Sequence, residues 1–340
     1  PFFLSLAADP APQDSWYLDR EIKLPEMPGF RKPLGITIDS TGKSYVVDQD
    51  NHTITIWDQN GTFLRRFGSH GAGNGQISQP ADIEVTHNEI YVVERGNHRI
   101  QVFDKNGTYL RKWGTPGTGQ GELRSPMSIT LDFNGSTVNE VFVADWDNHG
   151  IQVYDANGTF SRFIGGNGNA DEQFQHVSGV AIGPEGHLYA SSRNHNKIKI
   201  FETNGTYVRS FTTIAHPSDI DFFGDKLAIG NNEYNTVKIF DKNGTEIGSI
   251  GTHQVDSSAP GEFKESYGLS YAPNGELHVA DHNNHRIQVF DTNNSYVRSY
   301  GMYGEAGVGP YSFQITPQNT FLISDVERHR VLEIDENGSF

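Results

Sequence analysis

The chain has 340 residues, 42 acidic against 26 basic side chains, a formal charge of −16 and no cysteine. Scattered lysines and arginines on so acidic a chain exclude a nucleic-acid surface or an anionic membrane as partner, and no run reaches the ~18 apolar residues of a membrane span. Without disulfides, stability has to come from packing, and the redox compartment is left open.

In chain order, residues 2–8, FFLSLAA, are read in two ways: as the tail of a secretory leader's apolar core, or as a segment packed on something. Residues 1–14 are set apart on that basis as an apolar segment expected to dock on a neighbouring subunit. SWYLDREI at 15–22 has the look of a lone outer strand.

From residue 46 one phrase recurs: an apolar run ending in an acid, a polar turn, a strand, then Asp-x-Asn-Gly-Thr. It reads VVDQDNHTITIWDQNGT at 46–62, VVERGNHRIQVFDKNGT at 92–108 and VADWDNHGIQVYDANGT at 143–159, with further copies at 190–206, 228–245, 279–295 and 323–339. The repeat asparagines Asn60, Asn106, Asn157, Asn204, Asn243, Asn293 and Asn337 stand 39 to 51 residues apart. That period belongs to propeller blades and is too long for most solenoids. Each unit reads as four short strands, with Ile100 and Val102 on one face and Gln101 and Phe103 on the other. Asn-Gly tolerates the positive φ of a tight hairpin between the third and fourth strands. The glycine-rich stretches 68–79 and 114–124 read as crossings between blades.

The seventh unit stops at Phe340 without an outer strand, so residues 15–24 are expected to complete it and close the ring. The expected fold over 15–340 is all-β: a seven-bladed β-propeller with four-stranded antiparallel blades, six blades being the alternative.

All seven repeat asparagines sit in N-glycosylation sequons, as does Asn134 in Asn-Gly-Ser. Asn-Gly makes the turn and Thr suits a strand start, but that leaves the hydroxyl in every copy without a reason, and glycosylation supplies one. All eight sites are expected on one face and its rim. Asn51, also in a sequon, is expected on the opposite face without glycan.

His52, His98, His149, His285 and His329 share one register, with Asn196 and Asn235 in the remaining units. Histidine is the commonest metal ligand, yet equivalent positions on adjacent blades are too far apart to share an ion at ~2.1 Å. Each is expected to bond its own turn. Asp48, Glu94, Asp145, Asp281 and Asp325 end the second strands; they suit Ca²⁺ in principle, but their repetition suits strand-end hydrogen bonds better. No nucleophile elbow, zincin helix or phosphate loop occurs. No catalytic residue, metal or cofactor is assigned.

NHRIQVFD, found at 97–104 and again at 284–291, resembles the signature of the NHL-repeat β-propellers. The resemblance extends over about 15–340 and implies a propeller; members of the family are mostly six-bladed. The resulting expectation is a secreted or cell-surface, non-enzymatic binding or structural module with a protein or glycan ligand. Self-assembly into a filament or layer through the N-terminal segment is its extension. The alternative the resemblance suggests is a metal-dependent propeller lyase or lactonase, although the cysteines expected of such a lyase are missing.

Overall fold

The computed structural model describes residues 29–213 and 216–301, together with the backbone of three strands between 310 and 334. Residues 30–302 form one compact unit, and residues 1–29 with 303–340 form another.

The larger unit consists of six sheets of four antiparallel strands, spanning residues 33–67, 80–113, 126–165, 177–212, 220–250 and 266–300. These are blades 1 to 6. Within each, the strands run in sequence order from the inner strand at the axis to the outer strand at the rim. Second and third strands such as Ser44–Asp48 and Thr53–Trp57 are buried along their whole length, because neighbouring blades cover both faces. The outer strand Phe63–Phe67 alternates between half-buried and exposed, since it meets a neighbour on one face only. The fourth inner-strand position, occupied by Ile36, Ile83, Ile129, Val180, Ile220 and Leu269, is apolar and buried in every blade.

The ring closes within residues 30–301. Inner strands of successive blades pack on one another, and that of blade 6 packs directly on that of blade 1. A Cβ on Gly268 would run into the Leu34 carbonyl and the Gly35 backbone, so the two strands approach as closely as glycine allows. Phe30 seals the joint. Its N–H donates to the Gly301 carbonyl at 2.9 Å, and its ring packs with Trp57, Ile287 and Tyr300. Ile77, Leu123, Phe174 and Phe263, each on the crossing into the next blade, are likewise fully buried. The segment from Phe30 to Pro33 is therefore the sixth crossing.

Two corrections follow for the seven-bladed expectation. The propeller has six blades, since blades 6 and 1 are already in contact. The seventh repeat copy forms a three-stranded antiparallel sheet (Pro310–Ile315, Phe321–Asp325, Arg330–Ile334) belonging to the smaller unit. The apolar segment 1–14 and the closing strand expected at 15–24 lie outside the described residues. No described helix is long and apolar enough to cross a membrane.

Candidate functional site

Antiparallel blades put the one–two and three–four turns at one end of the ring, and the two–three turns and crossings at the other. Asn60, Asn106, Asn157, Asn204, Asn243 and Asn293 occupy three–four turns, and Asn134 a one–two turn; all seven are exposed. Asn337 lies outside the described residues. The turns also provide a second reason for the hydroxyl. Asp58 Oδ1 accepts the N–H groups of Asn60 and Thr62 at 2.9 and 2.8 Å, and the Thr62 side chain also bonds that carboxylate. Asp104, Asp155 and Asp241 do the same with Thr108, Thr159 and Thr245. The N–H of the threonine is the largest of the contacts that hold these carboxyls below their ordinary pKa. Asn51 lies at the opposite end, where its Nδ2 donates to Asp48 at 2.7 Å.

The histidine register corrects the expectation that each residue bonds its own turn: it bonds across to the following crossing instead. Nδ1 of His52, His98 and His149 accepts the N–H of Gln79, Ser125 and His176 on the following crossing at 3.1, 3.1 and 3.2 Å. Oδ1 of Asn196 and Asn235 does the same for His216 and Glu265 at 3.0 and 2.8 Å, and His285 Nδ1 meets the Arg31 carbonyl. These residues sit at φ between 53° and 57°, a region Asn and His tolerate better than most. His329 lies outside the described residues.

The second-strand acids are filled by the chain itself. Glu94 accepts the Ser78 N–H, Asn97, Arg99 and Gln101. Asp281 accepts the Lys264 N–H, Asn284, Arg286 and Gln288. Asp48 and Asp145 each accept a crossing N–H and the asparagine three residues on. The signature Asn-His-Arg-Ile-Gln is thus a bracket that ties each turn to the crossing beside it. The side chain of Asp325 is not among those described.

The axial channel departs from the repeat. At the third inner-strand position stand Gly35, Asp82, Ser128, Gly179, Asp219 and Gly268; at the fifth, Thr37, Glu84, Thr130, Ala181, Asp221 and Ser270. Asp82 and Asp219 each reach to the adjacent blade, accepting the inner-strand N–H of Ile129 at 2.9 Å and of Leu269 at 3.0 Å. Asp221 accepts the Tyr271 N–H at 2.7 Å. Burial pushes Asp82 up to about 7 and Asp221 up to about 6. Burial, then the charges of Asp82 and Asp221, pushes Glu84 up to about 8, and burial, then Asp82, raises Asp219 strongly. A polar cavity of 510 Å³ lies along this part of the channel.

Asp82 and Asp219 also line a second cavity of 250 Å³ at the crossing end, the mouth. Its wall comes from two further registers. One follows the second strand and supplies Arg95, Trp146, Arg193 and Asn232; the other, second on the inner strand, supplies Leu34, Ala81, Met127, Ser178, Ser218 and Tyr267. Arg193 donates to Asn232 Oδ1 at 2.8 Å, lies 5.7 Å over the Trp146 ring and stands 3.9 Å from Glu233. Trp146 stacks on His176 at 4.5 Å, and Tyr267 meets His282 at 4.9 Å. In the sequence Arg193 and Asn232 stand within two stretches that break the repeat, SSRN at 191–194 and GNNEY at 230–234, but neither is assigned to a site there. The mouth's signal is the disagreement of the repeats at two positions. Among the described residues, no group of three His, Asp or Glu is placed to hold a metal ion.

Comparison with known proteins agrees with this architecture. A family model described as a 6-bladed beta-propeller matches residues 75–139, and the NHL repeat model matches 268–290. The RING finger protein nhl-1 of Caenorhabditis elegans is 39% identical over 51 residues, and Protein brain tumor of Drosophila melanogaster 33% over 86 residues. These matches involve 15% and 24% of this chain but only 5% and 8% of those proteins. Among solved structures, a streptogramin B lyase superposes with a TM-score of 0.59 at 16% identity, covering 91% of this chain and 94% of that one. Virginiamycin B lyase from Staphylococcus aureus gives 0.58 at 14%, covering 92% and 98%. A chain of a nidogen–laminin complex gives 0.53 at 17%, covering 64% and 80%.

Proposed function

This chain is an NHL-repeat β-propeller, and we propose that it is a non-enzymatic binding module whose ligand enters the mouth of the channel. The observation that carries the reading is positional. Registers that hold the blades together repeat around the ring, whereas both registers that wall the mouth are mixed, with only Arg95 and Arg193 in one and Ser178 and Ser218 in the other sharing a residue type. A wall needed only for packing would tolerate the same residue six times; a wall shaped to an asymmetric ligand would not. The exposed sequons at the other end fit secretion, with glycans covering that end and leaving the mouth open.

Because the chain has no cysteine, Met127→Cys places a unique maleimide in the mouth, and His87→Cys places one on the sequon end. Fragments found by ligand-observed NMR are expected to be displaced by the first label and not by the second. The reverse pattern would put the ligand at the other end. Secretion has its own test in site-resolved mass spectrometry of the native protein. Bare asparagine at Asn60, Asn106 and Asn157 would end the secretory reading. Self-assembly through residues 1–14 is the extension of this proposal, and deletion of residues 1–12 is then expected to reduce particle size in light scattering.

A second reading, a metal-dependent lyase or lactonase, is favoured by the fold shared with the streptogramin lyases. The channel acids do not fit a metal set well, since Asp82, Asp219 and Asp221 are occupied by backbone N–H groups. Stoichiometric Ca²⁺ or Zn²⁺ in purified protein would revive it.

A further inference from the structure

We propose that the mouth selects a small organic oxyanion, a carboxylate or phosphate carried on a flat apolar body. This deepens the mouth reading above and rests on it.

Several arginines of this acidic chain are paired with an acid. Arg99 meets Glu94 at 2.7 Å, Arg111 meets Glu89 at 2.6 Å, Arg286 meets Asp281 at 2.8 Å and Arg298 meets Glu276 at 3.0 Å. Arg95, like Arg31, Arg65 and Arg124, makes no side-chain hydrogen bond or ion pair among the described residues, and of these four it is the one that lines the cavity, exposed on the mouth wall. Across the cavity Arg193 spends one nitrogen on the neutral Asn232, with Glu233 only at 3.9 Å. Two guanidinium groups thus face one cavity, and guanidinium forks suit planar or tetrahedral oxyanions.

The floor does not oppose an anion. Asp82 and Asp219 beneath it are carboxyls whose ionisation burial disfavours. Glu233, the acid beside Arg193, is engaged by His216. Ser218 adds an independent sign of a missing ligand atom. It lines the cavity, is 5% exposed, and its buried hydroxyl has no hydrogen-bond partner among the described residues. Between these polar points the wall is apolar or aromatic, from Leu34, Met127, Trp146 and Tyr267. A cavity of 250 Å³ falls below the roughly 300–1,000 Å³ of drug-sized sites. It suits a single ring with its charged head.

The test uses matched probes on the whole chain: benzoate, phenyl phosphate and benzamide, with the indole and naphthalene counterparts. Affinities are measured by ligand-observed NMR and Trp fluorescence for the native chain, Arg95→Ala and Arg95→Lys, with thermal melting to verify the fold. The acids or phosphates are expected to bind at least about tenfold more tightly than the amides and to weaken with salt. Arg95→Ala is expected to remove about tenfold of that affinity, and Arg95→Lys to restore part of it. Equal binding of acid and amide, or undiminished binding by Arg95→Ala, would overturn the oxyanion inference and leave the mouth reading standing. Binding of no probe in the mouth would overturn both.

Discussion

The two ends of the propeller are built on opposite plans. At the sequon end the same turn recurs blade after blade, with Asp58, Asp104, Asp155, Asp241 and Asp291 each capping the N–H groups of its own hairpin. At the mouth, brackets such as Glu94–Arg99 and Asp281–Arg286 repeat outside the cavity, while the residues facing it follow no common pattern around the ring. Repetition marks what holds the ring together. Its loss marks where the ring has something else to do.

The widest separation between these plans should appear on truncation. Asp281→Ala leaves the Arg286 guanidinium, 6% exposed at its side chain, with the Ala259 and Glu262 carbonyls but without its acidic partner. The expected loss is about 3–5 kcal/mol in urea unfolding. Arg95→Ala, on the mouth wall, is expected to stay within about 0.5 kcal/mol of the native chain. Comparable losses at both positions would erase the distinction.

The channel between the ends should respond to pH. Asp82 at about 7 and Glu84 at about 8 keep their protons in the folded state well above the pH at which the unfolded chain releases them. Across that window the folded state binds more protons, so stability falls as pH rises towards 8. Burial lowers His278 to about 3 and His282 to about 4. The unfolded chain takes up those protons first on acidification, so these residues lose stability as pH falls below about 6.5. Urea titrations are expected to show highest stability on the acid side of neutrality, with a decline of roughly 1–3 kcal/mol by pH 8. A flat profile from pH 6 to 8 would mean that the channel acids are ionised and solvated.

The smallest effect sharpens the reading of the sequons. Thr62→Val in protein made without glycans is expected to cost less than about 1 kcal/mol, since it removes only the hydroxyl's bond to Asp58 at an exposed residue and keeps the backbone N–H bond. A larger loss would make the turn itself sufficient reason for a hydroxyl in each repeat, and weaken the case for glycans.

Repeat period, strand order, hairpin chemistry and the end of the ring on which each turn lies were all legible in the sequence, because each follows from local patterning. The blade count was not. Seven copies of a phrase are present, but the chain segment at Phe30 and Pro33 plays the part that Phe263 and Ser266 play one blade earlier, and so closes the ring after six. The likeness of GFRKP to GEFKES was available, yet only packing shows that Phe30 covers Gly301. The histidines were recognisable as structural from their recurrence. Their partners were not, because each lies on the next crossing, 27 residues on for His52, His98 and His149 and at the other end of the ring's sequence, on Arg31, for His285.

By itself, then, the sequence determined that this is an NHL-type propeller built of short antiparallel strands, since alternation, turn residues and repeat spacing act within a few residues of one another. Tertiary structure decided the number of blades, the partners of the histidines and the walls of the mouth. Those depend on how closely two inner strands approach and on which side chains converge at the axis, and such distances are set between blades, not along the chain.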